Sequence, residues 1–227
     1  TAMTLEHYPG MTEKQLAKAT WYQKVIYEAG EKILRASAFP SRLWNSVLIS
    51  VVSTFLSLLL GTITAYGFSR FKTAAKDDWL FFILSTRMLP PMVITVPLFL
   101  MYRTLGLIDT HLGMILIYMA MNLSFAVWLM KGFIDEIPIE YEEAAMIDGY
   151  TRFQAFWKIV LPQSATGMAA TSVFCFITAW NEYAFALILT ARNAQTAPPF
   201  IPSQIGSGLP DWTAIAAGTI IFLVPVV

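Results

Sequence analysis

Charged residues are scarce in this chain of 227 residues. Aspartate, glutamate, lysine and arginine make up 13% of it, whereas hydrophobic residues make up 56%. Soluble domains carry about 25% charged residues, so this composition is typical of a protein that lies in a lipid bilayer. Fifteen basic residues are balanced by fifteen acidic ones, and a neutral chain offers no electrostatic argument for nucleic acid. We therefore expect membrane lipid, and no nucleic acid, around this chain.

Cysteine and histidine are nearly absent. Cys175 is the single cysteine, and His7 and His111 are the only histidines. One cysteine cannot form an intrachain disulfide, and two distant histidines give no ligand pattern for a metal ion. The sequence also lacks the His-Glu-x-x-His and Gly-x-Ser-x-Gly motifs and paired carboxylates within its apolar runs. These are patterns of enzyme sites, so we predict no catalytic residue, no metal site and no cofactor in this chain.

Long apolar runs fill most of the sequence. A membrane span takes about 20 apolar residues, and Leu43–Phe68, Trp79–Tyr102, Leu112–Met130 and Gln163–Ala191 are of this kind. A fifth run, Trp212–Val227, is uncharged but shorter. The pattern predicts an all-α, polytopic bundle of membrane helices. Because residue 1 is not methionine and the fifth run has no polar flank, we expect an intact protein with six spans, one of them before residue 1.

Three prolines interrupt the second run. Pro90, Pro91 and Pro97 each lack a backbone donor, so this span is expected to kink or break. Arg87 precedes them by one turn, and a charge inside the membrane costs at least about 2.5 kcal/mol. Two interpretations of Arg87 stay open. It is either a gate or substrate-path residue, or a structural partner of Glu182 or of carbonyl groups freed by the prolines.

Further candidates for a substrate path lie in the third and fourth runs. Asn122 is polar at mid-span, where it either binds a ligand hydroxyl or ties two helices together. Trp180, Asn181, Glu182 and Tyr183 are consecutive and are predicted to lie side by side in one apolar helix. Tryptophan stacks on the apolar face of a sugar ring, and amides and carboxylates bond hydroxyl groups. The alternative is packing between subunits, with Glu182 buried and paired.

One charged segment with a turn, residues 135–162, separates the third and fourth spans; we name it the coupling segment. Its first four residues, Asp135 to Pro138, are typical of a helix start. A helix is predicted over Ile139–Asp148, and Gly149 supplies a left-handed stop. A second helix is predicted from Tyr150 to about Leu161, with Pro162 ending it.

The coupling segment resembles the EAA loop of permease subunits in binding-protein-dependent ABC importers. Glu143-Ala144-Ala145 is followed by three residues, Gly149, nine residues and Ile159-x-Leu161-Pro162, which matches every fixed position of that pattern. The resemblance implies a coupling helix that lies in a groove of an ATPase subunit. Glu143 is then expected to pair with a basic group or cap a partner helix, and both alanines to permit close approach. The residues expected to couple this chain to the ATPase subunit are Tyr141, Glu143, Ala144, Ala145, Met146, Asp148 and Gly149.

Looser matches extend the resemblance to the carbohydrate-uptake branch, the maltose-type second permease. They are Thr4-Leu-Glu-His-Tyr8, Met88-Leu-Pro-Pro91, Leu105-Gly-Leu-Ile-Asp-Thr110 and Trp180-Asn-Glu-Tyr183. The family implies import of a sugar or polyol by alternating access in the inner membrane of a bacterial or archaeal cell. The implied partners are a second permease subunit, two ATPase subunits that bind ATP and magnesium, and an extracytoplasmic sugar-binding protein.

The chain is predicted to have two domains, and two of its regions, residues 1–42 and Ala191–Asp211, lie outside the spans. Residues 1–42 are predicted as an external or interfacial segment with an amphipathic helix, and residues 43–227 as the transmembrane domain. The first segment either rests on the bilayer or on the chain's own spans, or it contacts the binding protein. Ala191–Asp211 is rich in proline and glycine, which predicts an irregular external loop that reaches the binding protein or the partner subunit.

An ion-coupled secondary transporter or channel is the alternative function. A broken helix and the intramembrane charges of Arg87 and Glu182 are compatible with it. It does not require an acidic, alanine-faced helix in a loop, and its transport follows an ion gradient rather than ATP.

Overall fold

The computed structural model describes residues 38–72, 74–203 and 212–226. The amphipathic helix predicted within residues 1–42 and the end of the predicted loop lie outside these ranges. The chain divides into two compact units, which are Ser46–Ala194 and the joined segments Thr1–Asn45 and Gln195–Val227. Every regular element in the described ranges is helical, which confirms the all-α prediction.

The helices are numbered here in chain order. They are α1 (Phe39–Arg70), α2 (Lys76–Ser85), α3 (Pro91–Thr104), α4 (His111–Asp135), α5 (Glu140–Ile147), α6 (Arg152–Ala155), α7 (Leu161–Gln163), α8 (Ala165–Trp180), α9 (Ala184–Leu189), α10 (Ala197–Ser203) and α11 (Trp212–Leu223); a 3₁₀ turn covers Thr86–Met88 and a π-helical stretch covers Phe156–Val160.

Two helices in the described part, α1 and α4, are long and apolar enough to cross a membrane. They contain the predicted spans Leu43–Phe68 and Leu112–Met130. Two bent pairs pass the same criterion when each pair is taken together. Lys76–Met88 and Pro91–Thr104 meet at 90°, and Arg152–Gln163 and Ala165–Trp180 meet at 71°. The described residues therefore hold two candidate spans, or up to four if each bent pair is one span.

The predicted break at the prolines is confirmed. Leu89 and Pro90 are extended, with ψ values of 124° and 129°, and each of them precedes a proline. A proline ring disfavours the helical conformation of the residue before it, so two successive prolines force two extended residues. α3 then begins at Pro91, where a missing N–H costs nothing, and Pro97 lies inside it without ending it.

The prediction of one continuous helix through the fourth run is wrong. α8 ends at Trp180, and α9 begins at Ala184. The side chains between them compete with the backbone ladder. Asn181 Nδ2 donates to the carbonyl of Ile177 at 2.9 Å. The Glu182 carboxylate accepts from the backbone N–H groups of Phe185 and Ala186, in the first turn of α9.

The coupling segment differs from its prediction at three boundaries. Asp135 does not start a helix; it is the last residue of α4, where its carboxylate accepts from Ser69 at 2.5 Å and pairs with Lys131. The second arm begins at Arg152, behind a capping box formed by Thr151 and Gln154. It does not end before Pro162, because proline is tolerated in the first turn of α7, which the π-helical stretch precedes.

The link between α3 and α4 is tied to the chain that follows α9. The backbone N–H of Asp109 donates to the carbonyl of Leu189 at 2.9 Å. Its carboxylate accepts from the backbone N–H groups of residues 191 to 194 at 3.0–3.1 Å. The side chain of Asp109 therefore holds residues 191 to 194 against the link between α3 and α4.

The predicted irregular loop is wrong over Ala197–Ser203, which form α10. Pro198 and Pro199 lie in the first turn of that helix, where they remove donors that no intrahelical carbonyl needs.

Candidate functional site

The outward face of α5 carries the exposed residues of the coupling segment. Glu143, Ala144, Asp148 and Gly149 are exposed, and Tyr141 is 54% exposed. No hydrogen bond or ion pair within the described residues holds the Glu143 carboxylate, so it is free to take a partner.

Two of the predicted coupling residues face inward instead. Ala145 is 4% exposed, because it lies one turn from the buried Glu142 on the inner face of α5. The expectation that both alanines permit a partner's approach is therefore wrong for Ala145. Met146 is half-buried. Ala144 alone offers a small accessible side chain on this face.

The turn at Gly149 joins the two arms of the segment. Gly149 has φ +91°, as the predicted left-handed stop requires. The N–H of Gly149 donates to the carbonyl of Met146 at 3.1 Å, and the N–H of Tyr150 donates to that of Ala145 at 3.0 Å. These bonds satisfy carbonyl groups at the end of α5 and direct the chain into the second arm.

Large apolar side chains extend the outward face. Ile147 is 87% exposed and Phe153 is 70% exposed, and Trp157 and Tyr150 are 48% and 40% exposed. Sequence reasoning missed these residues. The signal was available, because Ile147 follows Glu143 by four residues and so shares its helix face.

The inward face of α5 is held by a buried acid that sequence reasoning also missed. The Glu142 carboxylate forms an ion pair with Nε of Arg70, and the two side chains are 3% and 6% exposed. Tyr66 donates its hydroxyl to Glu142 at 2.8 Å. Tyr66 and Arg70 are four residues apart at the end of α1, a spacing that puts both on one face.

Arg87 does not pair with Glu182 or with carbonyls around the prolines. Its Nη1 donates to the carbonyl of Met121 on α4 at 2.9 Å, and its guanidinium lies over the ring of Phe125. Arg87 is half-buried. The structural-pair interpretation is thus wrong in the partners that it named.

Asn122 ties two helices together. It is 1% exposed, and its Nδ2 donates to the carbonyl of Cys175 on α8 at 3.1 Å. Its Oδ1 is buried and has no hydrogen-bond partner within the described residues. Arg87 therefore contacts the stretch of α4 that carries Asn122, through Met121 and Phe125 on either side of it.

The four residues from Trp180 to Tyr183 do not form the predicted cluster on a helix face. Trp180 is 1% exposed and stacks on Phe176 with the ring centroids 5.5 Å apart, so it is not available to a sugar ring. Asn181 and Tyr183 are exposed. Glu182 accepts from the N–H groups of Phe185 and Ala186 at 3.0 and 3.2 Å and from the hydroxyl of Tyr118 at 3.0 Å.

Comparison with known families agrees with these features. A family described as binding-protein-dependent transport system inner membrane component matches residues 57–227. The trehalose transport system permease protein of Mycobacterium tuberculosis is 35% identical, over 89% of this chain and 75% of that protein. The diacetylchitobiose uptake system permease protein of Streptomyces coelicolor is 29% identical, over 89% of this chain and 74% of that protein.

A solved structure shares the fold. It is a bacterial ABC transporter involved in the import of the acidic polysaccharide alginate, with a TM-score of 0.74 at 22% identity. The match covers 88% of this chain and 75% of the solved one.

Proposed function

Because this chain belongs to the family of inner membrane components of binding-protein-dependent transport systems, we propose that it is a permease subunit of an ATP-driven sugar or polyol importer. The relatives that transport trehalose and take up diacetylchitobiose support a carbohydrate as the substrate. The proposed partners are a second permease subunit, two ATPase subunits and an extracytoplasmic sugar-binding protein. The ATPase subunits bind ATP and magnesium, and this multi-pass subunit of the inner membrane contributes no catalytic residue.

The observation that carries the proposal is the outward face of α5 and α6. Glu143, whose carboxylate has no partner among the described residues, lies on the same face as Ile147, which is 87% exposed. Phe153, 70% exposed, extends the apolar surface beyond the turn at Gly149. Exposed apolar side chains beside polar groups are typical of protein interaction sites.

In the proposed mechanism the coupling segment transmits movement and takes part in no chemical step. When ATP closes the two ATPase subunits, the coupling segments of both permeases are drawn together, and the membrane cavity opens outward to receive the sugar. Arg87 is the strongest substrate-path candidate of this chain, because its positive charge has no carboxylate partner in the described part of the chain. Asn181 and Tyr183 remain accessible candidates, whereas Trp180, Asn122 and Glu182 support the helices.

The experiment is recovery of the complex from membranes with the full-length subunit as bait. The wild type is compared with Glu143→Lys, which reverses the charge at the centre of the outward face. We expect the wild type to bring down an ATPase subunit, and the variant to recover at least about tenfold less, as for loss of a charged contact. Glu136→Lys is the matched control, because Glu136 is an exposed acid outside α5, and it should recover wild-type amounts.

Uptake assays separate this proposal from the alternative. Uptake that depends on ATP and is lost in Glu143→Lys supports the importer. Uptake that follows a proton or sodium gradient, with no ATPase recovered by either protein, would instead establish the ion-coupled secondary transporter.

A further inference from the structure

We infer that Arg70 is the positioning residue that locks the coupling segment to α1, so that the segment and α1 move as one body during transport. The inference rests on the proposed function. α5 buries little apolar surface, because its buried residues are Glu142 and Ala145. A helix that receives force on its outer face and buries little apolar surface needs another attachment to transmit that force.

Arg70 supplies this attachment through three donors. Nε forms the ion pair with Glu142 on α5, and Nη2 donates at 2.7 Å to the carbonyl of Ile137, in the link between α4 and α5. Nη1 donates to Ser69 Oγ at 3.1 Å, and Ser69 donates to Asp135 at the end of α4. One guanidinium thus connects the end of α1 with both sides of the link that enters α5.

The ion pair is buried, and each oxygen of its carboxylate accepts a hydrogen bond. With the two side chains 6% and 3% exposed, the attraction is screened little by water. The second carboxylate oxygen of Glu142 accepts from Tyr66 at 2.8 Å. A buried charge pair with its hydrogen bonds satisfied fixes a single geometry, whereas apolar contacts alone permit sliding.

The same end of α1 also contacts the second arm of the coupling segment. The Arg152 guanidinium lies 5.2 Å from the ring centroid of Phe71, and the ring of Tyr66 lies 4.6 Å from that of Phe156. Residues 66 to 71 therefore hold both arms, on either side of the turn at Gly149. A displacement of the segment has to move the end of α1 with it.

The test is the number of solute molecules imported per ATP hydrolysed, with the complete complex in proteoliposomes. Arg70→Met leaves Glu142 buried and unpaired, which can prevent folding, so two further variants are needed. Tyr66→Phe removes one hydroxyl and keeps the ring contacts. Arg70→Met/Glu142→Met removes both charges together, a change that buried ion pairs often tolerate.

We expect the double variant to retain the ATPase subunit and to hydrolyse ATP, but to import at least about tenfold less solute per ATP. For Tyr66→Phe we expect a smaller fall in the same ratio. A purely structural role for the pair would lower import and hydrolysis in proportion, leaving the ratio unchanged. Arg103→Met is the control, because Arg103 is an exposed cation at the end of α3 and takes no part in the contacts of Arg70 described above. Its ratio should equal that of the wild type.

The results distinguish a failure of the inference about Arg70 from a failure of the proposed function. A wild-type complex that imports with ATP, together with wild-type ratios in Tyr66→Phe and in the double variant, overturns the inference alone. A wild type that binds no ATPase subunit and imports without ATP overturns the proposed function and the inference with it.

Discussion

The guanidinium of Arg87 lies over the ring of Phe125, 4.1 Å from its centroid. Phe125 in turn stacks on Phe174 of α8, with centroids 4.7 Å apart. A cation–π contact contributes about 0.5–1 kcal/mol where it is exposed and about 2 kcal/mol where it is desolvated. For the half-buried Arg87 it therefore offsets part of the cost of a charge inside a membrane. The contact explains how the 3₁₀ turn Thr86–Met88 carries an arginine without a carboxylate partner in the described residues.

Replacing Arg87 with methionine removes the charge and keeps an unbranched side chain over Phe125. If Arg87 contacts the substrate, the apparent affinity for the imported solute should fall about tenfold or more, the loss typical of a charged hydrogen bond. The concentration dependence of uptake measures it. Arg87→Lys retains the charge and should keep most of the affinity. An unchanged affinity in Arg87→Met would leave Arg87 with a structural role only.

The parts of the fold that follow from local chemistry could be predicted from the sequence. The break at Pro90 and Pro91 follows from proline sterics, and the left-handed turn at Gly149 follows from its place after a helix. The spans that became α1 and α4 follow from uninterrupted apolar runs. In each case the residues that decide the structure lie within the element itself.

What could not be predicted depends on partners far away in sequence. Glu142 and Glu143 are adjacent acids, and only the position of Arg70, 72 residues away, decides which of them is buried. The end of α8 at Trp180 similarly depends on Glu182, whose carboxylate is held by Tyr118 from another helix. No periodicity within the segment carries that information.

Gly149 is expected to be irreplaceable for a conformational reason. A Cβ at this position would meet no atom within 4 Å, but φ is +91°, which a β-branched residue resists. Gly149→Val should therefore cost on the order of 1–3 kcal/mol at the turn and abolish uptake while the protein stays in the membrane. Uptake and the membrane-bound amount are measured together.

The matched control for the turn is Gly132→Ala. A Cβ at Gly132 also meets nothing within 4 Å, and Gly132 lies within α4, where alanine is favoured. Uptake should stay at the wild-type level. An equal loss of uptake in the two variants would contradict the conformational explanation.

Asp109 should make the stability of the folded protein depend on pH in the acidic range. Burial raises the pKa of its carboxyl, but the backbone N–H groups of residues 193, 191, 194 and 192 outweigh burial and hold the pKa below its usual value. The stabilisation is therefore present above the unfolded-state pKa of about 3.9 and is lost as pH falls through the lower folded-state pKa.

The test for Asp109 is Asp109→Asn, because asparagine tolerates the φ of +55° at this position. The change removes the charge and leaves one of the two accepting oxygens in place. At neutral pH the variant should be less stable by no more than about 1 kcal/mol. Thermal unfolding in detergent between neutral pH and about pH 3 should show a smaller decline than in the wild type. Parallel curves for the two proteins would show that other carboxyl groups carry the acid sensitivity.

Gly61 permits the close approach of α1 and α4. A Cβ there would lie 2.6 Å from the Cβ of Ala126, and 3.1 and 3.2 Å from backbone atoms of Ala126 and Val127. Because lipid gives no hydrophobic drive for helix association, such close packing is what holds membrane helices together. We expect Gly61→Ala to lower the unfolding midpoint, at a cost on the order of 1–3 kcal/mol for overpacking. Gly67→Ala, on the same helix with nothing within 4 Å, should be neutral.

Whether the clash is with a side chain or with the backbone can be decided by a second substitution. Ala126→Gly removes the shortest of the three contacts, so Gly61→Ala/Ala126→Gly should recover part of the lost stability. The recovery is incomplete because the backbone contacts at 3.1 and 3.2 Å remain. If the double variant is no more stable than Gly61→Ala, the backbone of α4 sets the limit, and any side chain at residue 61 must then push the two helices apart.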